Sequence, residues 1–209
     1  GPKGAGKTTT VTMLAGGGDI ELCGNDRTMV VGDSGEALGL PLAYRLGHGQ
    51  VHSEPALAEF IHCGRPDPAR PTTRDRGPAT CDPGAKHVLT PGQLAGALGA
   101  RIGQGGRLGL LLLPRVSADD RPFWHEPAGP SEVAGELAAS CYTPNDPTFK
   151  EARFRRRLVP EPALAATADR ACRELAARIP ALRLGWGTRG DLDRVRRELR
   201  RLVITGLGG

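Results

Sequence analysis

The chain has 209 residues, 39% hydrophobic and only 4% aromatic, which suits one domain with a thinly packed core of Leu, Ala and Val. No apolar run approaches the ~18 residues of a membrane span and no signal peptide opens the chain, while five cysteines without a C-x-x-C pair match no metal pattern, so a cytoplasmic protein with reduced thiols is expected. The net charge of +5 comes with only four lysines among 28 basic residues and with Asp and Glu interleaved, so an ordinary solvated surface is expected rather than a nucleic-acid interface.

Gly1-Pro2-Lys3-Gly4-Ala5-Gly6-Lys7-Thr8 fits G-x-x-x-x-G-K-[ST], the phosphate-binding P-loop. Such a loop turns backbone N–H groups toward a polyphosphate, and the N-terminus of the following helix adds a favourable dipole. The expected nucleotide contacts are therefore Gly1, Pro2, Lys3, Gly4, Ala5, Gly6, Lys7, Thr8 and Thr9. Lys7 would reach the β/γ-phosphates of ATP, and the Thr8 hydroxyl would bind Mg²⁺. A P-loop normally follows a strand, and no apolar run precedes Gly1, so a longer chain with an upstream strand is expected.

Residues 7–16 read as the P-loop helix, Asp19–Cys23 as a strand, and Thr28–Val31 as a second strand. A turn at Gly32–Glu36 leads into the extended segment Ala37–Tyr44, whose Pro41 suits an edge or a bulge. A short helix is predicted over Glu54–Ile61, a long loop over 63–85 and a strand over Lys86–Leu89. Thr90-Pro91-Gly92-Gln93 has the form of a capping box with Pro at the first helical position, opening a helix to about Arg101. The continuous apolar run Leu108–Leu113 predicts a strand buried on both faces that stops at Pro114-Arg115. A polar loop with Trp124 and His125 follows, then a helix over Ser131–Ser140, a turn-rich stretch from Cys141 to Lys150 and a basic segment at Arg153–Arg157. A helix over Glu161–Ile179, a strand over Ala181–Trp186 and an amphipathic helix over Asp191–Leu202 complete the chain. The alternation predicts an α/β P-loop nucleotide-binding fold with a mixed sheet flanked by helices. Residues 1–160 would form its core, and 161–209 would continue the same domain as helix, strand and helix.

Phosphoryl transfer also needs a carboxylate to help hold Mg²⁺ or to activate the acceptor. The strand ending in Pro114-Arg115 offers none, which leaves Asp26, at the end of the strand after the P-loop helix, as a candidate for both metal binding and catalysis. The bland alternative is that Asn25-Asp26 only makes a turn. Asp33 likewise follows a strand but reads more simply as a hairpin turn. Arg115 is a candidate for neutralising charge on the transferred phosphoryl group, or else an arginine capping a strand. Lys86 invites the same thought, whereas the five histidines are scattered and form no constellation.

The order P-loop, short helix, strand, "Leu22-Cys23-Gly24-Asn25-Asp26-Arg27" and strand resembles HPr kinase/phosphorylase and its relatives. "Gly39-Leu40-Pro41-Leu42", "Leu89-Thr90-Pro91" and "Leu112-Leu113-Pro114-Arg115" also look like segments of those relatives, so the likeness covers roughly residues 1–150. The resemblance implies an ATP- and Mg²⁺-dependent kinase whose acceptor is a hydroxyl of a protein, a peptide or a small molecule. In that family an acidic pair at this place serves as acceptor base and metal partner. Asp26 matches the second acid, and Asn25 stands where the first would be. The family's upstream His-containing segment and C-terminal signature do not appear, which suggests a divergent relative.

Two alternatives stay open. Asn25 in place of an acid would suit a nucleotide-binding regulatory module without catalysis. The P-loop with "Leu89-Thr90-Pro91-Gly92-Gln93" faintly resembles an ABC-type ATPase, but the leucine run lacks the terminal Asp-Glu that this chemistry needs.

Overall fold

The computed structural model describes residues 4–32, 34–52, 54–63, 86–142 and 159–207. In chain order the elements are α1 (Lys7–Ala15), β1 (Glu21–Leu22), β2 (Thr28–Val30), β3 (Glu36–Gly39), β4 (Tyr44–Gly47), α2 (His48–His52), α3 (Pro55–Cys63), β5 (Lys86–Leu89), α4 (Pro91–Leu98), β6 (Arg101–Ile102), β7 (Gly105–Arg107), β8 (Leu111–Ser117), β9 (Trp124–Pro127), α5 (Pro130–Ser140), α6 (Glu161–Arg178), β10 (Ala181–Gly187) and α7 (Leu192–Leu207). The described residues are thus mixed α/β, with seven helices and several small sheets. Of the predicted loop over 63–85, Cys63 ends α3 and residues 64–85 lie outside the described residues, as do Asp33, residues 143–150 and the basic segment at 153–157.

Two units divide the chain. One comprises Gly1–Lys7, Val30–Ala37 and Gly106–Gly209, the other Thr8–Met29 and Leu38–Gly105. The chain crosses between them within α1 and within the short strands β2, β3 and β7, which are ordered β2–β3–β7.

The second unit is built on small pairings. β4 and β5 run antiparallel with Tyr44 opposite Leu89, and alternation along β4 turns Tyr44 and Leu46 inward. They join Leu22, Leu57, Leu94 and Leu98 in one apolar core. The predicted capping box at the start of α4 is present in full: the Thr90 hydroxyl accepts from the Gln93 amide at 3.2 Å, and the Gln93 side chain accepts from the Thr90 amide at 2.9 Å. That helix stops at Leu98 rather than near Arg101, because Gly99 takes a left-handed C-cap conformation (φ 66°, ψ 18°) that residues with a Cβ adopt reluctantly. Arg101 and Ile102 then leave as β6, parallel to β1. The strand expected over Asp19–Cys23 is confined to Glu21–Leu22, and the helix α2 was not foreseen.

The first unit holds a mixed sheet in the order β8–β10–β9. β10 runs parallel to β8 over seven residue pairs and antiparallel to β9. The central strand is therefore β10, where Ala181, Leu184, Trp186 and both glycines are buried, and not the leucine-rich run. Leu108–Leu110 precede β8, and Leu111 and Leu112 within it are only partly buried. Nor does the strand end at Pro114; it continues to Ser117. Proline lacks an N–H, so a strand tolerates it where that position faces away from a neighbour. β8 meets this condition, pairing among the described strands with β10 alone. Trp124 and His125, expected in a loop, lie in β9. Val133 of α5 and Ala176 of α6 pack with Leu113 and Ala181 of the sheet to form the core here. Amphipathic spacing along α7 buries Val195 and Leu199 and leaves most of its arginines outward, as anticipated.

Candidate functional site

Of the segment that fits the phosphate-binding signature, Gly4 to Thr8 are described; Gly4–Gly6 form a turn that runs directly into α1 at Lys7. Gly4 (φ +84°) and Gly6 (φ +99°) both adopt backbone angles that a side chain would strain. At Gly4 conformation is the whole requirement, since a Cβ there would meet nothing within 4 Å. At Gly6 space is a second one, because a Cβ would lie 2.2 Å from Val116 Cγ2. The turn is docked on β8: the Val116 amide donates to the Ala5 carbonyl at 3.2 Å. Residues 114 and 116 point their backbone nitrogens to the same side of a strand. The edge on which Pro114 has no donor is thus the edge on which Val116 holds the turn.

Lys7 is exposed at the first position of α1, Thr8 is partly buried, and Thr9 is buried within the helix. No acidic residue occupies the first turn of α1, so nothing on the helix neutralises the positive end of its dipole. Gly1, Pro2 and Lys3 lie outside the described residues.

Asp26 is exposed in the bend between β1 and β2 and, among the described residues, makes no side-chain hydrogen bond or ion pair. Its neighbour is differently employed. Asn25 Nδ2 donates to the Ala43 carbonyl at 3.0 Å, and the Tyr44 hydroxyl donates to the Gly24 carbonyl at 2.9 Å. A carboxylate at position 25 could not make that donation, because it only accepts. The departure from an acidic pair therefore coincides with a structural task for the amide.

Arg115 is committed rather than available. Its guanidinium forms an ion pair with Glu136 of α5, and Nη1 donates to the Pro114 carbonyl at 3.0 Å. Lys86 is exposed at the start of β5. Among the described residues, no three His, Cys, Asp or Glu side chains cluster as metal ligands.

The continuation of β8 exposes what the expected stop at Pro114 concealed. The carboxyl ends of the parallel strands β8 and β10 lie together, the place where ligands gather on such sheets. Just beyond the end of β8, Asp119 Oδ1 accepts from the Ser117 hydroxyl at 2.6 Å and from the Arg121 amide at 3.2 Å. These two bonds, the hydroxyl first, hold the Asp119 carboxyl below its ordinary range. Gly187 lets the loop approach: a Cβ there would stand 2.3 Å from the Asp119 carbonyl. Beyond Asp119 opens a cleft of about 350 Å³, lined among others by Asp120, Arg121, Phe123, His125, Arg194 and Glu198. The Phe123 ring lies 6.0 Å from that of His125 and 6.4 Å from the buried Trp186. Asp191, also in the cleft wall, caps α7 by accepting from the Arg194 amide at 2.9 Å. The signal for this carboxylate was the pair Asp119-Asp120 after an apolar strand, masked by reading proline as a terminator.

Thr90 and Gln93, whose segment faintly resembles an ABC-type signature, are both occupied as a helix cap. No helix among the described residues is long and apolar enough to cross a membrane. No protein-family model, characterised protein or solved structure matches the chain.

Proposed function

We propose that this protein is an ATP- and Mg²⁺-dependent phosphotransferase acting on a hydroxyl acceptor, with the turn Gly4–Lys7 as the seat of the phosphates. One observation carries the proposal: two glycines at positive φ deliver Lys7 and Thr8 to the first turn of a helix that has no acidic residue there. Backbone amides and a helix N-terminus attract an anion, and the Lys7 ammonium adds a full charge. Thr8 and Asp26 offer hydroxyl and carboxylate oxygens, the donors Mg²⁺ prefers; because that ion keeps several waters and binds phosphates, few protein oxygens suffice. When bound, Mg²⁺ would neutralise charge on the phosphates. Asp26, exposed and without a partner among the described residues, is the group proposed to orient or deprotonate the acceptor hydroxyl. Asp119 is a second carboxylate for that work, since it follows the strand end on which the turn is docked. Charge neutralisation is assigned to Lys7, on the turn itself; Arg115 is paired with Glu136. The mixed-charge cleft beside Asp119 supports a polar acceptor of modest size, or the side chain of a larger one.

The test has two steps. Calorimetric titration with MgATP should show binding that Lys7→Ala weakens by more than about tenfold, the loss of one charge-assisted contact. Mass spectrometry of a panel of hydroxyl-bearing peptides and metabolites should then reveal a phosphorylated product that Asp26→Asn abolishes while binding survives. Loss of the product in Asp119→Asn instead would transfer the role to that residue. Failure of the wild type to bind MgATP would remove the proposal altogether. Binding without any product from the panel would favour a non-catalytic nucleotide-binding module, the reading that the anchored Asn25 supports.

A further inference from the structure

The cleft beyond β8 carries both signs of charge, and backbone bonds tie its two rims together. Three of them fasten the loop after β10 to the loop after β8. The Gly187 amide donates to the Arg121 carbonyl at 2.8 Å, the Thr188 amide to the Ser117 carbonyl at 2.9 Å, and the Arg189 amide to the Asp119 carbonyl at 2.8 Å. The wall is thus built before a ligand arrives, which lowers the ordering cost of binding. Elsewhere in this unit the guanidiniums of Arg115, Arg173, Arg183 and Arg196 all meet carboxylates. On the cleft wall Arg194 and Glu198 differ: among the described residues neither side chain has a hydrogen bond or an ion pair. Four positions apart on α7, they share a helix face, but arginine before glutamate is the less favourable order for a helix pair. Both are left to a third partner. Asp120, exposed on the same wall, also has no side-chain partner there. Phe123, half-buried with its ring near His125 and Trp186, adds an apolar surface. A simple anion in this cleft would meet Asp120 and Glu198, and a simple cation would meet Arg194. A ligand that satisfies both unpaired groups carries both charges itself.

We propose that this cleft binds a small zwitterion, its carboxylate on Arg194, its ammonium on Glu198 and its carbon skeleton against Phe123, and that free hydroxy-amino acids are the acceptor class. The volume of about 350 Å³ is at the low end for small-molecule sites and suits a ligand of that size. The acceptor role rests on the phosphotransferase reading; the binding of a zwitterion does not. The turn at Gly4–Lys7 belongs to the same unit, and the strand that holds it through Val116 runs on to Asp119 beside the cleft. In the transfer the acceptor oxygen attacks the terminal phosphorus of ATP. The new O–P bond forms as the bond to the bridging oxygen breaks, ADP leaves, and the hydroxyl proton passes to the Asp119 carboxylate.

Ligand-observed NMR titration of the full chain without nucleotide tests the binding. Serine, threonine and homoserine should bind at least about tenfold more tightly than ethanolamine, which lacks the carboxylate, or lactate, which lacks the ammonium. Arg194→Gln should erase the preference over ethanolamine, and Glu198→Gln the preference over lactate. Arg197→Gln, an exposed charge of the same helix outside the cleft, should leave both preferences intact. A ratio between ligands does not depend on the fraction of chain folded, so a destabilised variant still reports. Absence of amino-acid binding, equal binding of ethanolamine or lactate, equal binding of serine blocked at both ends, or loss of both preferences in the Arg197 variant would overturn the proposal. With MgATP added, mass spectrometry should find the phosphorylated amino acid. Selective binding without that product keeps the zwitterion site and overturns its acceptor role. A phosphorylated peptide without amino-acid binding overturns this inference and keeps the phosphotransferase reading.

Discussion

In the unit that carries β8, β9 and β10, Leu111–Ser117 pairs in register with Ala181–Gly187 over seven positions; in the other unit β1 and β6 share two. The longer ladder satisfies its backbone by regular pairing and packs Val133 and Ala176 against Leu113 and Ala181. The shorter one relies on close backbone approach and on side chains that stand in for ladder bonds. Gly39 lies so near Gly24 that a Cβ would stand 1.6 Å from the Cys23 carbonyl oxygen, while Asn25 and Tyr44 bridge the same bend. Regular pairing distributes stability over many residues, whereas close approach concentrates it in a few glycines and polar side chains.

The sharpest way to break this contrast is Gly39→Ala. The clash is with backbone atoms, which cannot rotate away. A loss of about 3 kcal/mol or more is expected in urea unfolding, because the bend itself must open. A loss below about 0.5 kcal/mol, the ordinary range for a surface change, would show that the bend is held otherwise.

Gly6→Ala tests the junction of turn and ladder. It combines a left-handed φ with a clash against the Val116 side chain, so a loss of about 2 kcal/mol and weakened MgATP binding are expected. Adding Val116→Ala should recover part of the stability by removing the Cγ2 contact, and neither the part due to φ nor that due to the Val116 Cβ, which would still stand 2.9 Å away. Equal stability of the single and double variants would show that the Cγ2 contact costs nothing.

Tyr44→Phe removes one buried hydroxyl and leaves the Gly24 carbonyl without it, at a cost of about 1 kcal/mol at neutral pH. Burial, and then Cys23 nearby, raise the Tyr44 phenol above its usual 10.0. The folded chain therefore holds this proton more tightly than the unfolded one. The resulting stability is complete below pH 10.0 and declines as pH rises toward the folded value, so wild-type stability should fall there more steeply than that of the phenylalanine variant. Urea midpoints measured across that range decide it.

The smallest effect concerns Ser117→Ala at the end of the long ladder. Without the hydroxyl, the Asp119 carboxyl should titrate closer to its ordinary 3.8, though still lowered by the Arg121 amide. In the wild type this group's contribution is present above 3.8 and lost as pH falls through its depressed folded value, so the variant, with a smaller depression, should lose less stability over that range and show a shallower acid limb. Carboxyl carbon chemical shifts followed through an acid titration would report the change.

Legibility followed the range of the interactions concerned. The capping box of α4 and the turn at the start of α1 depend on residues three or four apart, and both were readable. The strand over Lys86–Leu89 and the helices α5, α6 and α7 were located from short periodic segments. The reading failed where a distant partner decided. Leu108–Leu113 looks like a doubly buried strand from composition, yet β10 takes the centre of the sheet and the leucines slide to its edge. Pro114 looks like a terminator, but an edge strand has a side on which no donor is needed. Asn25 looks like a missing acid, but it is an amide donating to Ala43, eighteen positions away in the chain. Arg115 looks like a free cation until Glu136 of α5 is seen beside it.

By itself the amino-acid order determined the alternation of helix and strand, the cap of α4 and the glycine-lysine turn, because these arise from dihedral preferences and contacts between near neighbours. Only tertiary structure decided which strand is central, where β8 ends and which carboxylate lies beyond it. Those outcomes depend on pairings across long stretches of chain, where the free-energy differences come from burial and from satisfying each backbone donor, and no local pattern encodes the partner.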